Sequence, residues 1–210
     1  MKMSAFFLMI SILATTNLAG ITSNPTMLKK RPQPKVLFVI AYKDYQPIEY
    51  NELKNLLTLA GIHVVTASNK SGTATSQDFS RTPVDITIKE VNPADYDAII
   101  FIGGGGALLH LDKKISYKLI NAAYKDEKII GAICISSRIL AHSGILAGKK
   151  ATGWNDDNKL AGILKKHGAT YIPKSVVIDG NIITGEGPDT ATAFARALIT
   201  LLRGHYKYAD

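Results

Sequence analysis

Residues Lys128–Gly144 read KIIGAICISSRILAHSG, and the way one pattern gives over to another inside that stretch decides the fold. Ile129, Ile130, Ala132 and Ile133 form a short apolar run of the kind that fills a fully buried strand. From Ser136 the pattern becomes helical, and Gly144 marks its stop. A strand that passes directly into a helix, with no tight turn to fold it back, is half of a βα unit, and such units build parallel sheets. Cys134, the only cysteine of the chain, stands at the junction.

The same alternation extends outward on both sides. Upstream, KVLFVIA (35–41) reads as a buried strand, and PIEYNELKNLLTLAG (47–61) follows with Leu53, Leu56, Leu57 and Ala60 at helical spacing. IHVVTAS is a second strand, YDAIIFIGGGG a third that ends in glycines, and KISYKLINAAYK a helix. Downstream, SVVIDGNIIT gives two strand-like halves about Asp179-Gly180, the strongest hairpin signal in the chain. In GPDTATAFARALITLLRG, Pro188 is placed to open a helix and Gly204 to close it. The fold class expected is α/β, a doubly wound, mostly parallel sheet with helices on both faces and a small β-hairpin. It occupies residues 35–203, ahead of a C-terminal tail at 204–210.

With 210 residues, 46% of them hydrophobic, the chain suits one domain with a core that needs no staples. The formal net charge is +8, but the lysines are interleaved with acids, as in NAAYKDEK and HLDKK, so nucleic acid is not an expected partner. A lone cysteine permits no intrachain disulfide. The start, MKMSAFFLMISILATTNLAG, has the basic, apolar and small-residue sections of a secretory signal peptide (1–20), which predicts export to the periplasm or beyond the cell. The alternative is an N-terminal membrane anchor. Residues 21–34 read as a linker, and no membrane contact is expected once the signal is removed.

Sites in an open α/β sheet form beyond the carboxyl ends of the strands, which selects the loops YKDYQPIEY, GGGGALLHL and CISSR. The glycines Gly103–Gly106 lack the spacing and position of a dinucleotide fingerprint, and no Walker lysine-serine pair follows them. Their better use is close backbone approach, with the Gly104 and Ile135 N–H groups as donors to a developing oxyanion. Cys134 at the start of a helix is expected to be a nucleophile with a lowered pKa. No metal site and no cofactor are indicated.

Together, VLFVIA, YQPIEY, LKNLLTLAGIHVVTAS, YDAIIFIGGGG, GAICISSRILAHSGILAGKKATGW and VVIDGNIITGEGPDTATAFARALITLL resemble the successive motifs of the DJ-1/ThiJ/PfpI superfamily from Lys35 to Leu202. The resemblance implies a flavodoxin-like fold of the class I glutamine amidotransferase type and a homo-oligomer. The implied activity is cysteine-dependent chemistry on small carbonyl or peptide-like substrates, as a glyoxalase, deglycase or cysteine hydrolase, or a non-catalytic stress-response, redox-sensing or chaperone-like role. Cys134 matches the family's elbow cysteine, and Gly103 and Gly104 its glycine pair. Many members carry a histidine directly after the cysteine; here Ile135 stands there, and an aliphatic side chain accepts no proton. At the position where many members place a glutamate against the cysteine, the resemblance implies Gln46, whose neutral amide would hold the sulfur. Glu49 matches a second acidic position: its ordinary role is a helix N-terminal acid, and its catalytic role is to substitute as the base. His110, after the glycine loop, and Trp154, as an apolar wall, complete the expected pocket. The other histidines, His63, His142, His167 and His205, are expected to be structural or solvated.

Overall fold

The computed structural model describes residues 33–207, so the signal, nearly all of the linker and the last residues of the tail lie outside the described residues. In chain order the first strands are β1 (Lys35–Ile40), β2 (Lys43–Tyr45), β3 (His63–Ser68), β4 (Gly72–Ser76), β5 (Arg81–Val84) and β6 (Ile86–Thr87). They are followed by β7 (Ala98–Phe101), β8 (Ile129–Ile133), β9 (Lys150–Ala151), β10 (Thr170–Tyr171), β11 (Val176–Asp179) and β12 (Ile182–Gly185). The helices are α1 (Pro47–Leu59), α2 (Gly106–His110), α3 (Lys114–Lys125), α4 (Ser137–Ser143), α5 (Leu160–Lys166) and α6 (Ala191–Lys207).

Seven strands form the main sheet in the order β11-β12-β8-β7-β1-β3-β6, parallel throughout except for the antiparallel edge strand β11. Both faces are covered, as the continuous apolar strands require. Along β1 the period-2 alternation sends Leu37 and Val39 into one core and Val36, Phe38 and Ile40 into the other. The first core is closed by α3, α4 and α5 through Leu119, Ile120, Ile139, Leu140, Leu160 and Leu164. Tyr50, Leu53 and Leu57 of α1 close the second with Phe194, Leu198 and Leu202 of α6. Each such side chain, fully buried, contributes about 1.5–3 kcal/mol of transfer free energy, so the layers hold the loops at the sheet's carboxyl edge in fixed places.

The expected hairpin is β11–β12, and because β12 pairs with β8 it forms one edge of the main sheet. Two features depart from the sequence expectation. A second, three-stranded sheet, β2-β4-β5, was not legible, because its strands are short and carry polar, small or proline residues, as in KDY, GTATS and RTPV. Gly204 does not close α6; the helix continues to Lys207, and His205 Nε2 lies 2.9 Å from Asn181 Oδ1, tying the extra turn to the hairpin. Among the described residues, no helix is long and apolar enough to cross a membrane.

Candidate active site

Three carboxyl-edge loops meet at Cys134. β8 ends at Ile133, and the chain turns through a single 3-10 turn, Cys134–Ser136, into α4. Cys134 has φ of +61°, a left-handed conformation that costs a non-glycine residue roughly 1–2 kcal/mol. Strain of that kind persists where the surroundings over-determine it. Here Ser136 Oγ donates to Ile102 O at 2.8 Å, and Trp154 N donates to Cys134 O at 3.2 Å, pinning the elbow on both sides.

The glycine loop after β7 supplies the second wall. A Cβ on Gly103 would lie 2.5 Å from Cys134 Cβ and 2.8 Å from Glu49 Oε2, so only glycine lets the loop pass between thiol and carboxylate. Gly104, at φ +111°, is held there by the backbone of Asp44 and Gln46, which a Cβ would meet at 2.5 Å. The N–H groups of Gly104 and Ile135 both donate toward the Cys134 sulfur. The two N–H groups that the sequence expected as oxyanion donors thus lie beside the sulfur.

The third wall is the start of α1, and here the sequence expectation is corrected. Gln46 does not hold the sulfur. It is the N-cap of α1: its Oε1 accepts the Ile48 N–H at 2.7 Å, and its own N–H donates to Gly103 O at 3.0 Å. Nor is Glu49 a solvated helix-terminal acid. It is fully buried, its Oε2 accepts the Gly103 N–H at 2.8 Å, and its Oε1 has no hydrogen-bond partner. Burial pushes its carboxyl up from 4.5 to about 7, although the Gly103 N–H and the interaction with Cys134 both pull downward.

The thiol also departs from expectation. Burial first, and then the charge of Glu49, push Cys134 up to about 12, and the Ile135 and Gly104 N–H groups only partly oppose this. The lowered pKa expected from the helix start is therefore overturned: desolvation outweighs the two N–H donors. Thiol and carboxyl titrate as a pair. When Glu49 is ionised the thiol keeps its proton, and when the sulfur is the anion Glu49 is the group that can carry that proton.

Above the sulfur lies a cavity of about 310 Å³. Gln46, Gln77, Trp154 and Pro188 line it together with Gly104, Gly105, Cys134 and Ile135. Trp154 is thus where the resemblance implied, with Arg138 Cζ 5.4 Å from its ring centroid and its Nε1 donating to Asp156 at 2.9 Å. His110 is not brought in; it ends α2 beyond the glycine loop, outside the cavity lining. His142 lies away from the cavity, bonded to Asp112 at 2.8 Å with its ring 5.1 Å from that of His167. Gln77, at the end of β4, and Pro188 were missed. Only the β-branched GTATS and RTPV flanking the Asp78-Phe79-Ser80 turn hinted that Gln77 belongs to a sheet that reaches the site. Among the described residues, no group of three or more His, Cys, Asp or Glu is placed to hold a metal ion.

A strained cysteine on a strand-to-helix elbow, set in a doubly wound sheet and faced by a buried carboxyl, defines the class of elbow-thiol α/β proteins. Residues 34–201 match the model of the DJ-1/PfpI family, and the chain belongs to that family. It is 30% identical to the deglycase PfpI of Pyrococcus furiosus over 80% of this chain and 99% of that protein. It is 27% identical to the glutathione-independent glyoxalase DJR-1.2 of Caenorhabditis elegans, over 83% of this chain and 92% of that one. The crystal structure of a ThiJ/PfpI domain protein from Brachyspira murdochii superposes with a TM-score of 0.77 at 27% identity, covering 82% of this chain and 98% of the other.

Proposed function

We propose that this protein transforms small reactive carbonyl compounds through Cys134, with Glu49 as its acid and base. The observation that carries the reading is the fully buried Glu49 carboxyl beside the thiol, with a pKa of about 7. A general acid-base works best when its pKa lies near the working pH. With no proton acceptor on Ile135, proton transfer at the sulfur falls to this carboxyl. A thiol at about 12 is scarcely ionised at neutral pH, so attack requires that assistance.

For a 2-oxoaldehyde the steps balance without any outside oxidant. The Cys134 sulfur adds to the aldehyde carbon, the C=O π bond breaks toward oxygen, and the thiol proton passes by way of Glu49 to that oxygen. The Gly104 and Ile135 N–H groups face the oxygen while it carries charge. Glu49 then takes the C1 proton as the C2 oxygen is protonated, giving an enediol. It returns that proton to C2 while the C1 hydroxyl gives up its own proton, so that C1 is oxidised to a thioester and the C2 ketone is reduced to an alcohol. Water hydrolyses the thioester, freeing the thiol and a 2-hydroxy acid. The names deglycase and glyoxalase borne by two relatives support this substrate class. The alternative, a non-catalytic redox sensor, depends on a standing thiolate, which a thiol at about 12 disfavours.

Export through residues 1–20 and assembly into a homo-oligomer belong to the same proposal. The test is lactate formation from methylglyoxal by wild type, Cys134→Ala and Glu49→Gln. The expected result is turnover by wild type and loss of at least a hundredfold in each variant. Equal turnover by wild type and Cys134→Ala, or none by wild type, would refute it.

A further inference from the structure

We infer that Gln77, together with Gln46, forms a donor edge that reads a second, uncharged oxygen on the substrate, and so selects vicinal dicarbonyls over simple aldehydes. The inference rests on the carbonyl reading above and concerns the side chains that line the cavity together with the thiol.

The cavity of about 310 Å³ offers few groups to a polar substituent. Apart from Cys134 it contains no ionisable side chain, and the indole Nε1 of Trp154 is already engaged by Asp156. The backbone donors of Gly104 and Ile135 serve the reacting oxygen. The side chains of Gln46 and Gln77 remain. Because Gln46 Oε1 accepts the Ile48 N–H at 2.7 Å, the orientation of its amide is fixed and Nε2 is the end left to donate. Gln77 sits at the end of β4, and its N–H donates to Tyr45 O at 3.0 Å, so its backbone is fastened to the same segment that carries Gln46. Gln77 is exposed, so its side chain lines the cavity from the solvent side, and it has no hydrogen-bond partner among the described residues.

Two primary amides, on segments joined by that backbone hydrogen bond, thus border a small site that Trp154 and Pro188 also line. Amide N–H groups pair well with a ketone or hydroxyl oxygen and provide no charge to hold a carboxylate. The arrangement fits a substrate with one oxygen on the carbon that meets sulfur and another on the next carbon. A simple aldehyde leaves the edge without a partner. One such hydrogen bond to a neutral acceptor is worth roughly three- to tenfold in affinity.

The test needs no turnover. Hemithioacetal formation joins sulfur to the carbonyl carbon and ends with the thiol proton on the new hydroxyl, so it is read as reversible protection of Cys134 from iodoacetamide. The chain's single cysteine makes the readout unambiguous. Protection constants for methylglyoxal and propanal are measured for wild type, Gln77→Leu and Gln77→Glu, each normalised to N-acetylcysteine in the same buffer. Wild type is expected to favour methylglyoxal three- to tenfold beyond the free thiol, and both variants to lose most of that preference. A wild-type preference equal to that of the free thiol, or a preference kept in both variants, would overturn the inference. If the preference is present and Gln77-dependent while no lactate forms, the catalytic proposal fails and the donor edge stands.

Discussion

Replacing Glu49 with glutamine tests the pair at the centre of the site through stability as well as through reactivity. In the folded protein Glu49 is raised from 4.5 to about 7. A carboxyl raised on folding contributes stability that is fully present below its unfolded value and is lost as pH rises through the folded value. Wild type should therefore lose about 3 kcal/mol between pH 4.5 and 8, at 1.36 kcal/mol for each unit. The amide of the Glu49→Gln variant would keep an oxygen to accept the Gly103 N–H and would have no proton to lose. Urea unfolding of both proteins in steps from pH 4.5 to 8.5 isolates this group, because other titrations cancel in the difference. The upper limit stays below the ordinary Cys value of 9.0, above which the raised thiol would add a slope of its own. The expected result is a difference that shifts toward the variant by about 3 kcal/mol across the range. Iodoacetamide should report the same ionisation kinetically: the wild-type rate rises through about pH 7 as the pair sheds its first proton, and the variant lacks that limb. Parallel stability curves, with a constant difference from pH 4.5 to 8.5, would refute the account of Glu49 as a buried, shifted acid.

Other parts of the site make separate predictions. Gly103→Ala would set a Cβ 2.5 Å from Cys134 Cβ, and should lower stability by about 1–3 kcal/mol and change the alkylation rate, checked by thermal melts and iodoacetamide kinetics. The elbow φ of +61° means that Cys134→Gly should be more stable than Cys134→Ala by about 0.5–1 kcal/mol, the relieved strain exceeding the added unfolded-state entropy of glycine. Denaturant midpoints of the two variants decide it. Arg138 pairs with Asp157 at 2.6 Å and lies over the ring of Trp154, the only tryptophan, so Arg138→Met should red-shift tryptophan emission and increase its quenching by acrylamide.

The layered sheet was legible because its signals are local and repeated. The apolar runs that became β1, β7 and β8 are buried on both faces, which leaves them no polar alternation to confuse with a helix. The small sheet β2-β4-β5 was not legible: Thr73, Thr75 and Ser76 look like loop residues until Tyr45 and Ala74 are seen buried beneath them. The position of Cys134 at the elbow was legible for the same reason as the fold, since one strand-to-helix change fixes both. Its pKa was not. A sequence shows that a helix starts at the thiol, but the burial that outweighs those N–H donors, and the charge of Glu49 that adds to it, arise only when the chain is folded.

The exchange of roles between Gln46 and Glu49 has a specific cause, and the sequence contained part of it. Pro47 is suited to the first position of a helix, which makes Gln46 the N-cap and Glu49 the third helical residue. In an ordinary capping box the acid at that third position turns back and accepts the N-cap's own N–H. Here the Gln46 N–H is already committed to Gly103 O at 3.0 Å, so that return bond is not made. Glu49 instead reaches across to the Gly103 N–H at 2.8 Å, which brings its carboxyl to the thiol. One glycine residue therefore does two things at once. Its carbonyl takes the donor that would have kept Glu49 at the helix end, and its N–H supplies the new anchor. That exchange between α1 and the glycine loop turns a common helix-start pattern into a buried carboxyl beside Cys134.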